Sequence, residues 1–315
     1  MSKTASECQQ CGHSMRSITG VLDFVRDHRS SNERAFYNDV YQAAPQANPQ
    51  RTAKQSINVA QAAWRDPWSP QNQLVLDSLG DIRGKRIVLL GNGHSTKEMF
   101  LLTLHPAGLV YSDLSPHGVA NIRDGFDLAE FADLIAFAAI DAHELPFPDA
   151  SIDIVYGYAM VHHLPDLERF FAEVMRVLTP GGRCVFMDDA YAPLWHYSKQ
   201  TVLRPCMQYS HRTTGISPED YRFSMSGGFR EDILAELIRQ QGGDPWFRRT
   251  AFLQYLWHRG AEKLLRGRAR RMATSSMMSR PLRAIDDVIA HVPLLNKNFI
   301  RLVWGFDKRS PTTTA

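Results

Sequence analysis

The chain has 315 residues, 44% hydrophobic and 22% charged, with a net charge of +3. That length can bury one large core or two modest ones, and so small a positive excess gives no footing for a nucleic-acid-binding role. Four scattered cysteines (Cys8, Cys11, Cys184, Cys206) make no disulfide framework, no apolar run reaches membrane-spanning length, and the N-terminus lacks a signal core, so a cytoplasmic location is expected.

Cys8-x-x-Cys11 with His13 close behind resembles half of a zinc knuckle. Tetrahedral zinc needs four ligands, and no second Cys-x-x-Cys follows, so no metal site is expected and residues 1–30 are read as a flexible tail. From Ser31, Phe36, Tyr37, Val40 and Tyr41 recur at helical spacing, behind Ser30 or Ser31 as cap. Residues 31–70 are read as a helical lid, with a polar loop over 42–56. Pro67-Trp68-Ser69-Pro70 leads into a short amphipathic helix, Asn72–Leu79.

Ile87–Leu90 has the length and branching of a buried parallel strand, and it ends in Gly91-Asn92-Gly93 before a helix-like stretch, Met99–Leu104. A glycine turn between strand and helix exposes backbone N–H groups at the strand's carboxyl end, where open α/β sheets bind ligands. Further strands are expected at Leu109–Ser112, Ile135–Ile140, Ile152–Tyr156 and Arg183–Met187. Asp113 closes the second, about 20 residues past the glycines, where a ribose-binding carboxylate sits in dinucleotide-type folds; Asp141 closes the third. A helix over Leu167–Leu178, capped by Asp166, stops at Pro180-Gly181-Gly182. Strands alternating with helices at this spacing mean a parallel, doubly covered sheet, so residues 71–190 are taken as the core.

Residues 191–230 carry Tyr191, His196 and His211 without clear period and are read as an acceptor-side segment. Residues 231–315 are read as the end of the core: an amphipathic helix over Glu231–Gln240, then late strands at Phe252–Trp257 and Phe299–Phe306. Between those strands lies a basic helical insert, 260–294. There Arg259, Lys263, Arg266, Arg268, Arg270, Arg271, Arg280 and Arg283 interleave with Leu264, Leu265, Met272 and Met277. The insert is compatible with a solvated face, an oligomer contact, peripheral contact with an anionic membrane, or recognition of a diphosphate.

The stretch A-I-D-A-H-E-L-P-F-P-D-A-S-I-D-I-V-Y-G-Y-A-M-V-H-H-L-P-D, followed by E-V-M-R-V-L-T-P-G-G-R, resembles class I S-adenosylmethionine-dependent methyltransferases of methyltransferase type 11, including the quinone-biosynthesis C-methyltransferases. The resemblance is strong over about residues 70–190. It implies a doubly wound, mostly parallel, seven-stranded Rossmann-like α/β sheet with an antiparallel last strand, and S-adenosylmethionine as cofactor. By position it implies that Gly91, Asn92 and Gly93 lie against the methionine and ribose parts. Asp113 and Leu114 would meet the ribose, Asp141 and Ala142 the adenine, and Gly157 and Tyr158 the sulfonium.

Two places depart from the pattern: Leu89 stands where an acidic residue is usual, and Ser95 where a third glycine is usual; Lys97 or Glu98 is left to meet the amino-acid end. His162 and His163 follow the fourth strand near the expected methyl position and are the candidate catalytic bases. Tyr37, Tyr41, Tyr191, His196 and His211 are candidates to face the acceptor. The expectation is a biosynthetic methyltransferase acting on a small-molecule or lipid-like metabolite. The alternatives are a non-catalytic ligand- or partner-binding protein of the same fold and a membrane-surface methyltransferase.

Overall fold

The computed structural model describes residues 6–7, 14–26, 31–43, 57–93, 95–205, 208 and 218–309. Ten strands lie among them: β1 (Ser6–Glu7), β2 (Ser14–Ile18), β3 (Val21–Asp23), β4 (Arg86–Leu90), β5 (Gly108–Asp113), β6 (Ile135–Ala139), β7 (Ile152–Tyr158), β8 (Leu178–Asp189), β9 (Gly243–Thr250) and β10 (Arg301–Lys308). Successive side chains of a strand point to opposite faces. In β4, Ile87 and Leu89 therefore enter one buried layer while Val88 and Leu90 enter the other. A strand apolar on both faces needs cover on both, and helices supply it.

Twelve α-helices follow in chain order among the described residues: α1 (Ser31–Ala43), α2 (Ile57–Trp64), α3 (Pro70–Leu79), α4 (Pro116–Gly125), α5 (Leu167–Val177), α6 (Pro193–Gln200), α7 (Pro218–Ser226), α8 (Glu231–Gln240), α9 (Leu253–Leu264), α10 (Gly267–Ala273), α11 (Ser276–Ile289) and α12 (Pro293–Asn296). Phe170, Phe171 and Val174 of α5 and Leu234 and Ile238 of α8 fill one layer with Phe186 and Trp304. Val75 and Leu79 of α3, Trp64 of α2 and Val119 and Ile122 of α4 fill the other. Asp166 caps α5 by accepting the Arg169 N–H at 3.0 Å.

The strand order is β1-β2-β3-β6-β5-β4-β7-β8-β10-β9. Strands β6, β5, β4, β7 and β8 run parallel, and β10 lies antiparallel between β8 and β9. The α/β class and the antiparallel last strand agree with expectation. Because β5 and β7 flank β4 on opposite sides, the chain reverses direction across the sheet there, opening a crevice beyond the strands' carboxyl ends.

Several elements differ from the sequence reading. Part of the stretch taken as a tail is sheet: β3 pairs in parallel with β6, and β2 pairs with β3, so the sheet has ten strands rather than seven. Thr19 and Gly20, both at positive φ, make the tight turn between β2 and β3. Val21 anchors this edge and is fully buried. The Cys8–Cys11 pair and His13 lie outside the described residues. The helical stretch expected over Met99–Leu104 is a 3₁₀ helix, Lys97–Leu104. The penultimate strand is Gly243–Thr250, and Phe252–Trp257 instead begins the helix α9. Asp286 of α11 explains the switch: its carboxylate accepts the N–H groups of Phe252, Leu253 and Gln254 at 3.1, 2.8 and 3.1 Å, starting a helix where residue type alone favoured a strand. Helices α9–α12 are tied back to the segment before α3, where the Trp68 indole donates to Thr274 O and the Ser279 hydroxyl to Pro67 O, each at 2.7 Å. No helix among the described residues is long and apolar enough to cross a membrane.

Candidate active site

The turn after β4 needs its glycines. Gly91 and Gly93 have φ of +60° and +54°, and a Cβ on either would strike a neighbour: Met160 at Gly91, the Tyr41 hydroxyl at Gly93. From below, the Tyr111 hydroxyl donates to Ser95 O at 2.7 Å and to Asn92 O at 3.3 Å, pinning the loop to β5.

Asp113, at the end of β5, is buried beside this turn. Its Oδ2 accepts the Gly93 N–H at 2.7 Å and its Oδ1 the Ser115 N–H at 2.9 Å. Burial raises its pKa to about 6, against the pull of those two N–H groups. Each oxygen keeps further acceptor capacity toward a cavity of about 350 Å³. Gly91, Asn92, Gly93, Leu114, Asp141 and Ala142 line that cavity with it, as do Tyr37 and Tyr41 of α1 and His163. Asp141 Oδ1 also holds its own turn, taking the backbone N–H of His143 at 2.9 Å and meeting the His143 ring at 2.8 Å.

Other expected residues stand elsewhere. Gly157 does not line the cavity, because Met160 folds over it; the Cβ position of Gly157 is 2.9 Å from Met160 Cγ. Tyr158 projects to the opposite face of the sheet, as its place in a period-two strand requires. There its hydroxyl accepts from Gln71 at 3.2 Å and the Lys97 ammonium lies 2.9 Å from its ring centre. Ala159 and Met160 take the places expected of Gly157 and Tyr158. Tyr191 and His196 pack against each other, ring centres 5.2 Å apart, away from the cavity. His211 lies outside the described residues.

Leu89 is fully buried in the layer that contains Trp64 and Tyr156, and no acidic side chain lies on β4. A carboxylate reaches that layer from the next element. Glu98, with none of its surface exposed, accepts from the Ser95 hydroxyl at 2.6 Å and the Tyr156 hydroxyl at 3.2 Å, and the Lys97 ammonium is 3.5 Å away. Thus Glu98 braces the glycine turn through Ser95, which itself lines the cavity.

His162 and His163 occupy a 3₁₀ turn after β7, and carboxylates from three other elements meet them. The His162 ring has Asp188 Oδ1 at 2.9 Å on Nδ1 and Asp220 Oδ1 at 3.0 Å on Nε2. The His163 ring has Glu33 Oε1 2.7 Å from Nδ1 and Asp220 Oδ1 3.4 Å from Nε2. Burial lowers both imidazole pKa values, but the carboxylates outweigh it: His162 is raised above its ordinary value and His163 to about 9. Only His163 reaches the first cavity. A second cavity of about 730 Å³, lined by Phe36, His162, Arg222 and Phe223, shares Glu33, His163, Leu164 and Pro165 with the first. Glu33 and Asp220 carry no local sequence signal, because each lies far along the chain from the histidines it meets.

Residues 88–186 match the family described as methyltransferase domain. The chain is 32% identical over 110 residues to 27-O-demethylrifamycin SV methyltransferase of Amycolatopsis mediterranei, covering 35% of this chain and 40% of that protein. It is 36% identical over 109 residues to a phthiotriol/phenolphthiotriol dimycocerosates methyltransferase of Mycobacterium leprae, covering 34% and 39%. The chain thus aligns with about 40% of the length of these relatives. Among solved structures it resembles the Haemonchus contortus phosphoethanolamine N-methyltransferase 2 bound to S-adenosylhomocysteine, with a TM-score of 0.51, 16% identity, and coverage of 77% of this chain and 53% of that one. That likeness is one of fold.

Proposed function

We propose that this chain, whose residues 88–186 match the methyltransferase-domain family, transfers a methyl group from S-adenosylmethionine to a small-molecule or lipid-like acceptor in a biosynthetic reaction. The observation that carries the reading is Asp113: a buried carboxylate oriented through both oxygens by backbone N–H groups, at the end of β5 and facing a cavity within the ligand-site range of roughly 300–1,000 Å³. Among the residues lining the same cavity, Asn92 Oδ1 and His143 Nε2 are buried polar atoms without a hydrogen-bond partner, and so suit a polar ligand.

When bound, S-adenosylmethionine supplies an electrophilic methyl group on a sulfonium sulfur. Asp113 would take the ribose hydroxyls, Asp141 and Ala142 would border the adenine, and Gly91 and Gly93 would let the backbone approach. Met160 and Ala159 would wall the transfer position and exclude water from it. The acceptor would enter through the second cavity, with His163 at the junction. His162 and His163 would hold that boundary rather than take a proton, since each ring already has carboxylates at both nitrogens. The relatives named above, by their names a rifamycin and a phthiotriol methyltransferase, support an acceptor of this kind.

Calorimetric titration with S-adenosylhomocysteine tests the donor site. Wild type should bind and Asp113→Ala should bind at least about ten-fold more weakly, because a hydrogen bond to a charged group contributes about 1.5–3 kcal/mol. No binding by wild type would overturn the reading; binding with no turnover across small and lipid-like acceptors would leave a ligand-binding protein of this fold.

A membrane-surface role for the same activity has its own support. On α9–α11, Leu264, Met272 and Met277 are exposed beside exposed Arg266, Arg268, Arg270 and Arg271. Co-sedimentation with anionic vesicles that weakens with added salt is the expected result; no binding to such vesicles would remove this role.

A further inference from the structure

The pair of histidines after β7 does more than line a wall. His162, His163 and Asp220 converge so that one ligand atom of each lies within 4.8 Å of the others, and the Nε2 nitrogens of both rings turn toward Asp220. The two nitrogens stand 3.0 and 3.4 Å from the same Asp220 oxygen. Ligands bound at about 2.0–2.1 Å around a tetrahedral ion sit roughly 3.3 Å apart, so these separations need little adjustment to hold one.

The outer side of the His162 ring is built as a metal-bound histidine requires, and a carboxylate stands close to the same nitrogen of His163. A ligating imidazole is held in tautomer and orientation by a carboxylate on its other nitrogen. His162 Nδ1 has Asp188, wholly buried, at 2.9 Å; His163 Nδ1 has Glu33 at 2.7 Å. Ring planes are fixed as well. Phe223 stacks on His162 with centres 4.4 Å apart and 10° between planes, and Tyr37 meets His163 edge-on at 5.8 Å. Both histidines border the second cavity, from which a further oxygen ligand can approach.

We infer that His162, His163 and Asp220 form a binding site for a divalent transition-metal ion of the zinc class, with Asp188 and Glu33 orienting the two rings. Three protein ligands beside a cavity match sites that leave a coordination position for water or substrate. Such an ion would hold an acceptor bearing an oxygen donor, and that consequence rests on the methyl-transfer reading; the site itself does not.

The test is calorimetric titration of Zn²⁺, and separately of Co²⁺ with its visible spectrum recorded, into EDTA-treated full-length protein. The Cys8→Ser/Cys11→Ser background removes a competing thiol pair. One equivalent should bind, with visible cobalt bands of low coordination number. Asp220→Ala, at a partly exposed position, should weaken binding at least 100-fold. Glu33→Gln should weaken it about 10-fold, in line with the loss of an orienting partner. Absence of binding overturns the site, and so does binding that survives both substitutions. Titration of the same metal-free protein with S-adenosylhomocysteine separates the two readings: cofactor-analogue binding without cation binding overturns this site alone, and cation binding without it supports this site while overturning the donor reading.

Discussion

The Tyr41 hydroxyl occupies the space a Cβ on Gly93 would need, and the Tyr41 ring does the same at Gly118. Helix α1 is therefore seated against the glycine turn after β4 and the start of α4 through two residues that have no side chain. Gly93→Ala must both displace Tyr41 and place an alanine at φ +54°, a strained conformation costing about 1–3 kcal/mol. Urea unfolding should register that loss, and affinity for S-adenosylhomocysteine should fall more than ten-fold. Adding Tyr41→Ala should relieve the collision without restoring full stability, since the backbone strain stays.

Donor binding should depend on pH through Asp113. Its pKa in the free protein is about 6, and hydrogen bonds from ribose hydroxyls favour the ionised form. Affinity should therefore rise between pH 5 and 7 and flatten above, and Asp113→Asn should remove the slope. Stability moves the other way. The folded-state pKa lies above the unfolded value of about 3.9, so the folded chain holds the extra proton between about pH 4 and 6, and this group's contribution declines as pH rises through that window. Calorimetry across pH reads the first effect, and comparison of Asp113→Asn with wild type in urea reads the second.

Glu98 should matter more for stability than its distance from the cavity suggests. Glu98→Ala leaves Ser95 and Tyr156 without their acceptor and Lys97 without its counter-charge. Removing one member of a buried charged cluster costs about 3–5 kcal/mol. Glu98→Gln, which keeps shape and one acceptor oxygen, should lose markedly less in the same urea experiment.

Asp286→Ala should loosen the helical insert without touching the sheet. Three backbone N–H groups at the start of α9 lose their acceptor. A cap contributes about 0.5–2 kcal/mol and a buried charged acceptor somewhat more, so a loss of about 2–3 kcal/mol is expected. Hydrogen exchange should rise first at Phe252–Gln254.

Much of the donor side was legible because it is local. The turn Gly91–Gly93, the carboxylates Asp113 and Asp141 and the strands that carry them follow from short-range pattern, and the structure brings all of them to one cavity. Where the structure differs from the reading, two causes acted, detail within one turn and contacts from far along the chain. The strand period sends Tyr158 to the far face, and Met160 covers Gly157. The start of α9 was taken for a strand because aromatic residues suit either element, and the decisive cap, Asp286, lies 34 residues from Phe252. Asp220 meets His162 from 58 residues away, a convergence no spacing rule anticipates.

The position of β10 also bears on how the molecule is made. Gly305 pairs with Val185 on one side and Trp246 on the other, so the last strand is the wedge that joins β8 to β9. During synthesis the crevice-forming strands β4–β8 emerge before β9 and β10, and until Arg301–Lys308 leaves the ribosome the β8 edge stays open and Trp304 is missing from its layer. An open edge beside an unfilled apolar face invites pairing with another chain. The nascent protein is thus most vulnerable to self-association after β8 has emerged and before β10 has, and a chain cut short before residue 301 should accumulate as aggregate.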